Sequence, residues 1–97
     1  MTTLDQVEIS LESKQILWAC LKYWETELLA PEERSVCYSW VERLYRDRFG
    51  RTFHQSKLEQ LAELGLLEKA DTSRGANRRY YRIPDPSRIR SIVREDV

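Results

Sequence analysis

The stretch "TFHQSKLEQLAELGLLEK", residues 52–69, decides how the rest of the chain is read. Its apolar positions Phe53, Leu58, Leu61, Ala62 and Leu64 recur at helical spacing. Thr52 and Gln55 stand three apart, the capping-box arrangement in which a hydroxyl and an amide satisfy each other's early backbone N–H groups. Gly65 then supplies the residue type that closes a helix in the left-handed conformation. The pattern predicts a helix over 52–64, polar at its front and apolar at its back, that runs into a strand at "LLEKA".

Upstream, "SWVE" at Ser39–Glu42 has the same capping-box form. The helix it opens presents Trp40, Val41, Leu44, Tyr45 and Phe49, and Gly50 closes it. Before it, "RSVCY" reads as a short extended piece. A first helix over Ser10–Glu27 has Ser10 as its N-cap and apolar residues at Leu11, Ile16, Leu17, Cys20, Leu21, Tyr23 and Trp24, continuing to Leu28. Pro31 bars its continuation, since proline lacks the helical N–H donor. Downstream, "DTSRGAN" is rich in turn formers and "RRYYRI" alternates as a half-exposed strand does. Ile83 sets the Arg79 and Tyr81 face inward and turns Arg78, Tyr80 and Arg82 outward. "PDPSRIRSIVRE" fits a last helix with Asp85 as cap, Pro86 in the first turn and an apolar stripe of Ile89, Ile92 and Val93.

The order is therefore helix, short strand, helix, helix, strand, turn, strand, helix. Two capped helices joined by "GR", followed by a basic hairpin, resemble the winged helix-turn-helix family across residues 39–83. Leu61, Leu64, Gly65, Leu66 and Leu67 are similar to that family's passage from recognition helix to first wing strand, and "SRGANRRYYRI" resembles its wing tip and return strand. The resemblance extends to small transcriptional regulators and to DNA-binding modules of archaeal origin-recognition proteins. It implies a mainly α fold with a small β-hairpin: a three-helix core, a wing hairpin and a C-terminal helix. The helix-turn-helix would occupy about 39–64, the wing about 66–83 and the last helix about 86–94 of a single domain.

Bulk composition agrees with one domain. Ninety-seven residues, 41% hydrophobic and 33% charged, suit a single soluble core rather than a disordered chain. No apolar run approaches the roughly 20 residues that span a bilayer, and the opening "MTTLDQVEISLESK" lacks the form of a secretory signal. A cytosolic protein with no membrane partner is expected. Cys20 and Cys37 are not closely paired and there is one His, so reduced core thiols are expected and neither a zinc site nor any other cofactor. Enzyme chemistry finds no phosphate loop and no serine triad, and Glu32 with Glu33 reads as an exposed loop pair.

Net charge is zero, yet it is unevenly spread. Residues 1–33 hold two lysines against seven acids, a net of −5, while 34–97 carry 14 basic groups against nine acids, a net of +5. Such a field draws a polyanion to one face. The resemblance makes the 52–64 helix the reader of the DNA major groove, where base edges are distinguished by donors and acceptors. Thr52, His54, Gln55, Ser56, Lys57 and Gln60 supply its polar set, with Gln55 suited to adenine and His54 or Lys57 to guanine or phosphate. Gln55 as a mere cap and His54 as a mere surface residue are equally compatible with the pattern. Glu59 and Glu63 are expected to be solvated.

Arg74, Arg78 and Arg79 surround "GAN" at the wing and suit phosphate or a narrow minor groove, against the plainer reading of a solubilising hairpin edge. Arg51, with Arg43, Arg46 and Arg48, forms a second basic set that Glu42 and Asp47 can partly neutralise. The expected activity is sequence-selective binding of double-stranded DNA by a small transcriptional regulator. The rival is a winged-helix protein-interaction module without DNA readout, favoured by the neutral net charge and the acidic first helix. A weaker third option is single-stranded nucleic acid stacked on Tyr80. Apolar residues on more than one side of the first helix further suggest a homodimer through that helix and the last one.

Overall fold

The computed structural model describes residues 9–30, 33–70 and 79–96. Four helices and a small three-stranded antiparallel sheet follow in the order α1 (Leu11–Thr26), β1 (Val36–Cys37), α2 (Tyr38–Phe49), α3 (Ser56–Glu63), β2 (Glu68–Ala70), β3 (Tyr80–Arg82) and α4 (Pro86–Asp96). The fold is mainly helical, as expected, with one more strand pairing than a hairpin alone provides.

Helix α1 is the centre of the molecule. The Ser10 hydroxyl accepts the Ser13 amide at 3.1 Å and starts it. The helix ends at Thr26, whose hydroxyl donates back to the Tyr23 carbonyl at 2.7 Å. Pro31 lies outside the described residues. Ile16, Leu17, Ala19, Cys20, Leu21 and Trp24 of α1 are all buried, against α2, α4 and β1. Most apolar residues of this helix are thus covered within its own chain, while Leu11 stays 53% exposed and Trp18 and Tyr23 are half-buried. Leu28, counted in the helical stripe, lies beyond the helix and is fully exposed.

Strand β1 delivers the chain to α2 without an intervening loop. For that reason Ser39 is not a cap: Cys37 occupies the N-cap position and makes no side-chain cap bond. The expected Ser39–Glu42 capping box is absent, and Glu42 serves other partners. At the other end Gly50 takes φ 75° and its N–H bonds the Arg46 carbonyl at 2.9 Å, as the sequence predicts.

Helix α3 starts later than expected, at Ser56 rather than 52. The Thr52 hydroxyl is diverted to the Glu42 carboxylate at 2.8 Å, and Phe53 drops into the core. The connection from α2 therefore spans residues 50–55 instead of the two-residue "GR". It is pinned by the Tyr38 hydroxyl, which donates to the Phe53 carbonyl at 2.6 Å. Two i→i+3 bonds, Lys57 N–H to His54 and Leu58 N–H to Gln55, wind the chain into α3. Gly65, at φ 81°, then closes it: the Leu66 N–H reaches back to the Leu61 carbonyl at 3.0 Å and the Gly65 N–H to that of Ala62 at 3.0 Å. This is the Schellman arrangement.

In the sheet β3 is central, order β1-β3-β2, with Val36 opposite Tyr81 on one side and Lys69 opposite Tyr81 on the other. Tyr81 and Ile83 point into the core as expected. Arg79 does not: it is exposed, while Tyr80 is half-buried against Trp40 at 5.8 Å between ring centroids. Helix α4 is capped by Asp85, which accepts the Arg88 amide at 3.2 Å, and buries Ile89 and Val93. The core is completed by Val41 and Tyr45 of α2 and Leu58 and Leu61 of α3.

Candidate nucleic-acid interface

The polar face of α3 follows from helical geometry. Leu58 and Leu61 point inward, so Ser56, Gln60 and Glu63, spaced four and three apart, share the opposite face and are exposed. Just ahead of them, the exposed His54 imidazole accepts the Ser56 N–H through Nδ1 at 3.1 Å. His54 thus acts as the local cap that the Thr52 hydroxyl was expected to be, which leaves Nε2 as its outward nitrogen. Gln60 has no side-chain partner among the described residues. His54, Ser56 and Gln60 are therefore brought together on one outward surface.

The other expected contacts are distributed differently. Gln55 is half-buried beside the Tyr81 hydroxyl rather than on the open face. Lys57 turns back to Glu12 of α1, Nζ to Oε1 at 3.4 Å. Arg51 is fastened inside the domain: Nε donates to the Tyr45 hydroxyl at 3.0 Å, and Nη2 donates to the Gln15 side-chain carbonyl. Thr52 is held by Glu42, as above. Of the second basic set, Arg46 pairs with Glu42 at 3.6 Å, and Arg48 lies over the Trp18 and Phe49 rings at 5.4 and 5.8 Å. Arg74 and Arg78 lie outside the described residues.

Glu59 is the residue that sequence reasoning missed. Expected to be solvated, it instead joins α3 to the β2–β3 strand pair. Its Oε1 receives Lys69 Nζ of β2 at 2.8 Å, and its Oε2 receives Arg79 Nη1 at 3.2 Å together with the Tyr81 hydroxyl of β3. The Lys69 ammonium and Tyr81 hydroxyl, followed by Arg79, hold its carboxyl down to about 2. Burial first, and the neighbouring carboxylate second, push the Tyr81 phenol above its ordinary range. Arg79, expected as a DNA contact, is thereby half of an ion pair, with its side chain still 66% exposed. Tyr80, the suggested base-stacking ring, already packs against Trp40.

Among the described residues no group of three His, Cys, Asp or Glu is placed to hold a metal, and no helix is long and apolar enough to cross a membrane. Cys20 and Cys37 are free and buried; burial pushes the Cys20 thiol up to about 12. No known family, curated protein or solved structure matches the chain.

Proposed function

We propose that this chain is a winged helix-turn-helix domain that binds double-stranded DNA, with α3 entering the major groove and the β2–β3 wing lying on the backbone or in the minor groove. What carries the reading is topology joined to chemistry. The order α1-β1-α2-α3-β2-β3, with β1 closing on β3, sets a short helix beside a two-stranded wing. The outward surface of that helix carries Ser56 and Gln60, with His54 just ahead of its first turn, side chains able to donate to and accept from base edges. Selectivity is assigned to these residues and affinity to Arg74 and Arg78. A role in transcriptional regulation in the cytoplasm follows from this reading.

The test is polarisation titration of the full chain with random-sequence duplex across a salt series. Binding is expected at low salt and falls steeply as salt rises, because neutralised phosphates release counterions. Arg74→Ala with Arg78→Ala weakens binding on all sequences alike. Gln60→Ala relaxes preference at one base position by ~1–3 kcal/mol and leaves the salt slope alone. The second reading, a protein-interaction module, is favoured by the internal pairing of Lys57, Lys69 and Arg79 with acids. No duplex binding at low salt decides for it.

A further inference from the structure

Among the described residues, Glu59 of α3 holds two cations of the β2–β3 strand pair, Lys69 and Arg79. Glu59 sits midway along α3, on the flank between its buried and its outward faces. Lys69 and Arg79 approach it from different strands, and their side chains are still 64% and 66% exposed. They are surface charges at the root of the wing, held in place and neutralised by one acid of the adjacent helix. The same acid fixes where the wing root lies relative to α3, because its third contact is the hydroxyl of Tyr81, whose ring is fully buried.

Resting on the DNA-binding reading above, we propose that Glu59 is a positioning residue that limits non-specific duplex affinity: it holds Lys69 and Arg79 against α3 and withholds their charges from the phosphate backbone. An unpaired cation next to a duplex takes a phosphate whatever the sequence, and each such contact adds about 0.9 to the salt slope. A cation bound to Glu59 must first give up that carboxylate, and the carboxylate itself repels phosphate. Fewer sequence-independent phosphate contacts then compete with the contacts that register with bases, made by the neighbouring turn of α3.

The test compares the full chain with Glu59→Gln on the same random-sequence duplex. Glutamine keeps an acceptor for the Tyr81 hydroxyl and removes the charge. The expected result is tighter binding, about tenfold near 0.1 M salt for each cation released, with a slope steeper by about 0.9 per cation. A triple variant, Glu59→Gln with Lys69→Gln and Arg79→Gln, should fall back to the parent slope or below it. An unchanged slope in Glu59→Gln, beside a parent that binds, overturns this inference and leaves the DNA-binding reading standing. An equal rise in the single and triple variants also overturns it, since the gain would then be bare charge rather than released cations. Absence of binding by parent and variant alike overturns both. Should Glu59→Gln not fold, Lys69→Gln with Arg79→Gln in the parent carries the converse comparison: an unchanged salt slope is expected, and a slope shallower by about 0.9 per cation overturns the inference.

Discussion

Helices α1 and α3 share one apolar core but differ in how much of it each supplies. Helix α1, 16 residues long, buries six side chains and touches α2, α4 and β1. Helix α3, eight residues long, buries Leu58 and Leu61 and reaches the sheet through the carboxylate of Glu59. Apolar burial is indifferent to salt and nearly indifferent to pH, whereas charged contacts respond to both. The centre of the domain is therefore built to stay fixed, and the proposed reading head is built on contacts that solution conditions can loosen.

The strongest way to break this contrast is to cut into α1. Leu17→Ala empties a fully buried site and should cost about 2–5 kcal/mol, read as a lowered denaturation midpoint. That is a large share of the roughly 5–15 kcal/mol that holds an ordinary domain together. By contrast Leu64→Ala, at the C-cap of α3 and 49% exposed, should move stability by no more than about 0.5 kcal/mol. Equal costs at the two positions would erase the distinction.

A smaller effect is expected where α3 closes. An added Cβ at Gly65 meets nothing within 4 Å, so Gly65→Ala has no clash to relieve and its cost is the backbone at φ 81° alone. It should destabilise by about 1 kcal/mol in thermal unfolding. The subtlest test is acid. Glu59 has its carboxyl lowered from 4.5 to about 2 in the folded chain, so it binds a proton less readily folded than unfolded. Its contribution is complete above the ordinary carboxylate range and is lost as pH falls from about 4.5 towards about 2. Glu59→Gln should flatten the stability profile over that window. A variant that keeps the parent's full acid sensitivity would assign that sensitivity to other carboxylates.

The parts of the fold legible in the sequence are those whose cause is local. Gly50 and Gly65 close their helices because a left-handed residue is needed there and glycine provides it without strain. Ser10 and Asp85 cap because their oxygens have no better partner than the next turn. The two capping boxes failed for the converse reason. Thr52 had a distant acid available, Glu42. Ser39 was already inside a helix that begins at Tyr38. Glu59 was illegible because its partners lie 10, 20 and 22 residues away on strands that only the folded sheet brings near. The apolar surplus of α1 could signify a subunit contact or a central position, and periodicity does not separate the two. The outward placing of Ser56 and Gln60 follows from helical phase, opposite the buried Leu58 and Leu61. The diversion of Lys57 and Arg51 into the domain depended on where α1 would lie.

The sheet also has a colloidal consequence. Its outer strands, β1 and β2, are two and three residues long, and β3 between them is paired on both sides. Open strand borders are where foreign chains add themselves rung by rung. Among the described residues the free borders offer few rungs for such growth, and Glu68 and Lys69 on one of them stand exposed to water. The described sheet therefore gives a foreign strand little purchase.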